Sequence, residues 1–346
     1  SLLQTYPDLN SSPDLRIVSP VVEKVDIIVV PGQYSARKSL TGLGNRDHLT
    51  KAFVDDLLPS DFPHSRILFF DYNPHSAFRS GFTENRLQVV TLHLLQHAVK
   101  LRKRDPLRPI IFIAHGVGGI LVKNALLRAA LDSRFKTIRR ATKGIAFFGT
   151  PHRARSLDAS LETLVSDFAS QLWISDSCQP KTSRKAPYFV RTSSSFSALL
   201  SAERFHDEWL SRYSRRLRFL SFYGKIPSLA VPGHSATLGL PQEQEAIIAL
   251  PSSQQDFWAF EGSTDPNYCV FRNKLAWLLG WIAQSVRTSS SYDRQILSDT
   301  VSSFKTSNGF DNCTPPVSNQ EKISFKIQSR APASGFGRIL LSNPGC

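Results

Sequence analysis

Apolar and polar positions follow two different periods along the chain, and together they predict strands that alternate with helices. Short runs of apolar, often β-branched residues predict strands at 25–30, 66–71, 110–113, 143–148, 217–223 and 246–250, with a shorter one at 228–231. Apolar residues at helical spacing predict helices at 48–58, 84–103, 117–131 and 268–286, with Thr83 as a cap and a turn at 59–63. This alternation is typical of an α/β fold with a mostly parallel sheet and helices on both faces.

The same pattern divides the chain into a domain and two flanking segments. Residues 1–21 are polar and Pro-rich, and we expect an N-terminal tail or a short edge strand there. Residues 22–287 form the predicted domain, in which 155–210 is less regular and is expected to make a partly helical cap over the sheet. Residues 288–346 are rich in Ser, Thr, Asn and Pro, which indicates a disordered tail or a truncated linker. The sequence contains no Met, so we expect either a fragment or an edited gene model.

The chain has a net charge of +14, and charged residues are expected on the surface of this domain. Basic clusters lie at 100–108, 134–140 and 212–218. We interpret them as solvated helix ends, and the alternative is a surface for an anionic membrane or an acidic protein partner. No nucleic-acid-binding motif accompanies the charge, so nucleic acid is not expected as a partner.

The absence of targeting and cofactor motifs narrows the function classes. No secretory signal and no apolar run of membrane-spanning length is visible, which predicts an intracellular, cytoplasmic protein. The four cysteines lack metal-type spacing and are expected as free thiols. Neither a metal-binding nor a nucleotide-binding motif occurs, so we expect no metal and no cofactor.

The most informative stretch is the junction between the strand at 110–113 and the helix at 117–131. An apolar run ends at Ala114, a turn of small residues follows, and helical spacing then begins. This is the layout of a nucleophile elbow, G-x-S-x-G, in which small flanking residues such as Ala114, Gly118 and Gly119 let strand and helix approach each other. The central position holds Gly116, which has no side chain to attack a substrate.

The other two members of a catalytic triad are also missing. In this type of fold the nucleophile is followed along the chain by an acid and then by a histidine. The last histidine of the chain is His234, and no Asp or Glu occurs between Arg212 and Gln242, so Glu243 is the first carboxylate after the strand at 217–223. We therefore predict that the site does not catalyse acyl transfer. We also expect Gly116 to relax the turn, because glycine adopts strained backbone conformations at little steric cost.

Six blocks resemble a known family in order and in register. They are VDIIVVPG, LPSDFPHSRILFFDY, RPIIFIAHGVGGILVKNAL, GIAFFGTPHR, HSATLGLP and FWAFEGSTDPNY. The chain resembles the lipase-like α/β hydrolases of the serine-active-site-containing protein type, in particular those at the N-termini of fungal nucleotide-binding, immune-receptor-like proteins. The resemblance implies the α/β-hydrolase fold over about residues 22–285.

The resemblance also assigns positions in the site. It places the family's nucleophile at Gly116 and its catalytic histidine at Gln254, so neither group is intact. The backbone N–H groups of Gln33 and Val117 fall where the family has its oxyanion-hole donors.

Three histidines near the expected site invite another interpretation. The resemblance implies that His115 packs at the elbow and that His152 has a structural or lid role. His152 and His234 are candidate pocket residues. A rebuilt catalytic pair from Ser156, Asp158 and His234 is the alternative, but nothing in their spacing requires it.

These observations predict an inactive hydrolase-like domain that works by binding. The expected partner is a lipid or acyl ligand in the inherited pocket, or a protein, including a fused nucleotide-binding domain that the resemblance suggests. The alternative is an active serine esterase or lipase with a rearranged site. A third interpretation is a decayed gene product with no selected role.

Overall fold

The computed structural model describes most of the predicted domain. The described residues are 14–17, 24–32, 52–72, 83–150, 152, 208, 210, 211, 216–224, 233, 235–251, 258 and 260–289. The predicted strand at 228–231 and the predicted tail beyond 289 lie outside them, as does the predicted cap at 155–210 except for 208 and 210.

A seven-stranded sheet forms the centre of the domain. The strands are β1 (Asp14–Ile17), β2 (Val25–Val30), β3 (Ser65–Asp71), β4 (Ile110–His115), β5 (Thr142–Phe148), β6 (Arg218–Gly224) and β7 (Glu245–Leu250). Their order across the sheet is β1-β3-β2-β4-β5-β6-β7. All neighbouring pairs are parallel except β1 and β3, which are antiparallel. The predicted mostly parallel sheet is therefore confirmed.

Helices lie between β2 and β3, between β3 and β4 and between β4 and β5, and one follows β7. They are α1 (Leu58–Asp61), α2 (Glu84–Leu101), α3 (Val117–Leu131), α4 (Lys136–Ala141) and α5 (Pro266–Ser289), with a π-helical turn at Phe53–Leu57 before α1 and a 3-10 turn at Ser133–Phe135 before α4. The Thr83 side chain accepts a hydrogen bond of 3.3 Å from the backbone N–H of Arg86, which confirms Thr83 as the cap of α2.

Of the two expectations for residues 1–21, a tail or a short edge strand, the structure shows the strand: Asp14–Ile17 pairs with β3, and Leu15 is buried. One sequence-based expectation needs correction. The predicted turn at 59–63 begins too early, because helix continues through Pro59 to Asp61. Proline is compatible with the first turn of a helix, where its missing N–H would have no helical partner.

The sheet separates two hydrophobic cores. Alternate residues of a strand point to opposite faces, so Ile28 and Val30 of β2 join one core while Ile27 and Val29 join the other. The first core is covered by α2, α3 and α4, and the second by α5 and the helical segment at 53–61. All six residues of β2 are buried, as expected for a parallel strand with helices on both faces.

A buried charge cluster joins the amino ends of two strands to the loop before β4. Asp26 accepts two hydrogen bonds of 2.9 Å from Arg66, one of 3.3 Å from Arg108, and another from Arg102. Asp26 and Arg102 are both buried. The basic cluster at 100–108 is thus only in part a solvated helix end, because two of its arginines neutralise this carboxylate.

One arginine in each of the other two basic clusters also has a defined contact. Arg134 lies 2.6 Å from Asp132 in an exposed ion pair, and its hydrogen bonds lower the pKa of Asp132 to about 2. The Arg218 guanidinium lies 4.4 Å from the centre of the Trp281 ring, a cation–π contact.

Candidate functional site

Three turns meet at the carboxyl edge of the sheet, the edge at which sheets of this kind bind ligands. A Cβ atom placed on Gly32, after β2, would lie 2.0 Å from the carbonyl oxygen of the last residue of β4. A Cβ on Gly118 would lie 2.2 Å from the carbonyl oxygen that ends β2, and one on Gly119 would lie 2.1 Å from Oγ1 of Thr150, after β5. No side chain fits at such distances, so the small residues expected at Gly118 and Gly119 are required for this packing.

The turn between β4 and α3 has the backbone of a nucleophile elbow. Gly116 has φ 47° and ψ −116°, and α3 begins at the next residue. The Gly116 N–H donates to the carbonyl oxygen of Phe148 at 2.9 Å, while its own carbonyl accepts from the N–H of Gly119 at 3.1 Å. Ala114 before the turn is fully buried. The geometry that presents a nucleophile is therefore present, but residue 116 has no side chain to present.

The backbone nitrogen of Val117 borders the turn after β2. It lies 2.8 Å from the position that a Cβ on Gly32 would occupy. N–H groups in the first turn of a helix have no partner within the helix and favour anions. The Val117 N–H thus lies beside the turn after β2, and its role as an oxyanion donor stays a prediction. Gln33, the other predicted donor, lies outside the described residues.

His115 packs beside the elbow against an aromatic ring. Its imidazole centre lies 5.3 Å from that of Trp258, with the ring planes at 42°. Trp258 is buried and also contacts Phe148, at 6.1 Å. This arrangement agrees with the packing role expected for His115.

His152 is buried on the other side of the turn. Its ring meets Phe147 nearly at right angles with centres 4.6 Å apart, and its backbone N–H donates to the carbonyl oxygen of Ser235 at 2.7 Å. His152 therefore anchors the segment after β5 to the segment before β7. This position fits the structural role that the resemblance implied.

Several candidate residues fall outside the part of the chain that the structure describes. They are Gln33, Ser156, Asp158, His234 and Gln254. Among the described residues of the turns after β2, β4 and β5, there is no serine, cysteine or carboxylate.

The buried carboxylate nearest in sequence to the expected acid position has a structural role. Glu245 lies at the amino end of β7, whereas the candidate site lies at the carboxyl ends of the strands. It accepts hydrogen bonds from the Ser221 hydroxyl at 2.6 Å and from the N–H groups of Leu238 and Leu240 at 2.7 and 3.0 Å. These bonds hold the segment before β7 in place. Glu243, the first carboxylate after β6, is exposed.

Sequence reasoning missed three buried polar groups near this edge. Within the described residues, the indole nitrogen of Trp258 and the hydroxyl of Thr150 are buried without a hydrogen-bond partner. Lys123, seven residues after the elbow, is fully buried, with its ammonium 6.0 Å from the Phe147 ring, and burial lowers its pKa to about 7. Trp258 lies in one of the blocks that resemble the family. Hydrophobic periodicity predicts a tryptophan as a core residue, but it does not show whether the indole N–H has a hydrogen-bond acceptor.

Two further properties concern only the described residues. They contain no group of three or more His, Cys, Asp or Glu side chains arranged to hold a metal ion. None of their helices combines the length and the apolar character needed to cross a membrane.

The strand order and the elbow together define the class of fold. Six parallel strands in the order β3-β2-β4-β5-β6-β7, an antiparallel edge strand and a sharp strand–turn–helix after β4 make this chain an α/β-hydrolase fold.

The chain is similar in sequence to Protein SERAC1 of several vertebrates. It is 28% identical to the zebrafish (Danio rerio) protein in an alignment of 209 positions that covers 57% of this chain and 29% of that protein. It is 29% identical to the human protein over 116 residues, which are 33% of this chain and 17% of that protein. The chain thus spans less than a third of the length of these relatives. No family model matches it.

Two solved structures align with much of the chain at low identity. Carboxyl esterase 2 of the fungus Tuber melanosporum aligns with 78% of this chain and 86% of its own, at 13% identity and a TM-score of 0.48. A lipase-esterase related protein of Clostridium acetobutylicum aligns with 77% of this chain and 99% of its own, at 9% identity and a TM-score of 0.43.

Proposed function

We propose that this domain has lost acyl-transfer catalysis and works by binding an acyl ligand at the carboxyl edge of its sheet. The observation that carries the proposal is the elbow. Its backbone has the strained geometry of a nucleophile turn, yet residue 116 is glycine. A covalent acyl intermediate needs an attacking side chain at this position.

The missing acid and base support the same conclusion. His234 is the last histidine of the chain, and the position that the resemblance gives to the catalytic histidine is Gln254. Glu245 is already held by three hydrogen bonds at the amino end of its strand. Losing one member of the triad would lower the rate strongly, and losing all three leaves only binding and backbone donors.

The backbone and side-chain groups that remain at the elbow favour an anionic or carbonyl-bearing ligand. The first turn of α3 carries backbone N–H groups that favour an anion, and in hydrolases of this fold such groups bind the developing oxyanion. Around it lie aromatic side chains, including Phe148 and Trp258, that suit an acyl chain. A docked protein, including the nucleotide-binding domain that the resemblance suggests, is the other partner of this proposal.

The test compares the natural chain with a repaired one. Hydrolysis of short-chain and long-chain acyl nitrophenyl esters is measured for the natural chain, for Gly116→Ser alone, and for Gly116→Ser with Gln254→His and Gly224→Asp. We expect the first two to be inert and the triple variant to turn over substrate. Saturable turnover by the natural chain would refute the loss of catalysis.

The alternative is an active esterase with a rearranged site. One observation favours it, because Ser235 is hydrogen-bonded through its backbone to His152, which brings a serine and a histidine together near the elbow. Both residues are buried, which opposes direct reaction with a substrate. Labelling of a single serine by a fluorophosphonate probe, lost in Ser235→Ala, would establish this alternative, and absence of labelling would exclude it.

A further inference from the structure

Trp258 carries a buried hydrogen-bond donor beside the elbow. Its side chain is 5% exposed, and its ring packs on His115 at 5.3 Å, Phe53 at 5.8 Å and Phe148 at 6.1 Å. The indole nitrogen has no acceptor among the described residues. Buried donors are paired in nearly all native structures, so this one calls for a physical explanation.

The position of the indole points to a ligand. Trp258 touches His115, the residue directly before Gly116, and Gly116 opens the first turn of α3. An indole N–H is a donor only, so its partner must accept a hydrogen bond. The N-terminus of α3 also favours negative charge. Both groups therefore select an oxygen-rich, anionic or carbonyl head rather than a cation.

We infer that the Trp258 N–H donates to the polar head of the acyl ligand, either a carboxylate or an ester carbonyl oxygen. This inference rests on the proposed binding function and adds a side-chain donor to the backbone donors of the elbow. The ring's aromatic neighbours, Phe53 and Phe148, keep water away from this donor. A hydrogen bond to a charged acceptor is stronger in such surroundings than in water.

The experiment uses the full chain and octanoate as the probe. Octanoate binding is first measured by calorimetry, and the five indole N–H signals are then followed by ¹H–¹⁵N NMR during a titration. The Trp258 signal is assigned by its absence in Trp258→Phe. If that variant does not fold, the signal is assigned by elimination from Phe variants of the other four tryptophans. Trp277, which is 47% exposed on α5, provides the internal control.

We expect octanoate to move the Trp258 N–H signal downfield and to leave the Trp277 signal unchanged. Trp258→Phe should bind octanoate about tenfold more weakly, the effect of one hydrogen bond to a charged group. Trp277→Phe should bind it normally.

The possible failures are distinguishable. If octanoate binds but the Trp258 signal stays in place, the inference is wrong while the binding function stands, even if Trp258→Phe weakens binding through lost packing. If octanoate neither binds nor moves any indole signal, the proposed acyl-binding function fails as well.

Discussion

At the scale of single residues, Gly116 shows how an elbow persists without its nucleophile. Its φ of 47° lies in a region that favours glycine. The turn is held from both sides, because the Gly116 N–H bonds to Phe148 and its carbonyl accepts from Gly119. We therefore expect glycine to avoid the strain that a side chain would add to a turn whose shape the neighbouring elements impose.

The first prediction tests that relief. Gly116→Ala should lower the free energy of unfolding by roughly 1–3 kcal/mol, the cost of a side chain in a strained backbone region. Gly280→Ala is the matched control, because a Cβ there meets no atom within 4 Å and alanine favours a helix. It should stabilise the protein by up to about 1 kcal/mol. Urea unfolding of both variants measures the difference, and equal stability of Gly116→Ala and the natural chain would show that the turn is not strained.

Lys123 is a second residue whose chemistry is set by its surroundings. Burial lowers its pKa to about 7 from 10.5 in the unfolded chain. Between these values the unfolded state holds a proton that the folded state has released, so stability rises with pH across this window. At and below pH 7 the full cost of the buried ammonium is present, and it amounts to roughly 3–5 kcal/mol.

The second prediction follows from this rise of stability with pH. Lys123→Met should be more stable than the natural chain at pH 7, because it removes the cost of the buried charge and keeps the length of the side chain. The advantage should shrink as the pH is raised toward 10. Thermal unfolding at a series of pH values measures it, with the exposed Lys136→Met as a control that should show no such trend. A constant difference across the series would rule out titration of Lys123 as the cause.

At the scale of elements, the site depends on how closely α3 approaches the ends of β2 and β5. Gly118 faces backbone atoms of Val30 and Pro31 at the end of β2, whereas Gly119 faces the side chain of Thr150. Backbone cannot withdraw without breaking the sheet, but a side chain can be shortened. The two glycines should therefore respond differently to a compensating change.

The third prediction uses this difference. Gly118→Ala and Gly119→Ala should each destabilise the fold by about 1–3 kcal/mol or more through overpacking. Adding Thr150→Ala should recover part of the loss in Gly119→Ala, because it removes the two nearest atoms, Oγ1 and Cγ2, and should recover none in Gly118→Ala. A double-mutant cycle by urea unfolding gives the coupling energy. Equal rescue of both variants would contradict this geometry.

The elements that the sequence predicts well are those with a strong hydrophobic period. β2 and α3 have the predicted bounds, and α2 ends two residues early, at Leu101. The helix at 136–141 was missed because its six residues are too few for a period to show. The sequence left open whether Asp14–Ile17 is an edge strand or part of a tail. A strand of four residues that pairs with only one neighbour is too short to show a clear hydrophobic pattern.

The site was predictable where it depends on backbone. Small residues at Gly118 and Gly119 indicated close packing, and the structure supplies the contacts. The buried donor of Trp258 was not predictable, because pairing depends on which groups from distant parts of the chain face the indole. The burial of Lys123 was hidden for a similar reason, since a lysine within an apolar helix commonly reaches solvent.

At the scale of the whole molecule, the two edges of the sheet hold different kinds of residues. The carboxyl edge holds the elbow, and the amino edge holds Asp26 among Arg66, Arg102 and Arg108. Removing one partner of a buried ion pair is costly, because the remaining charge stays buried without compensation. The stability of the domain should thus depend on an edge that takes no part in the proposed function.

The last prediction separates stability from binding on that basis. Asp26→Asn should lower the free energy of unfolding by roughly 3–5 kcal/mol, since Arg102 is left buried without a counter-charge. Asp132→Asn, the same change in the exposed pair with Arg134, should cost at most about 1 kcal/mol. Urea unfolding measures both. Where Asp26→Asn is still folded, its affinity for octanoate should equal that of the natural chain, because the two edges act independently. Loss of affinity in the folded variant, or equal destabilisation by the two substitutions, would show instead that the amino edge and the elbow are coupled or that Asp26 contributes little.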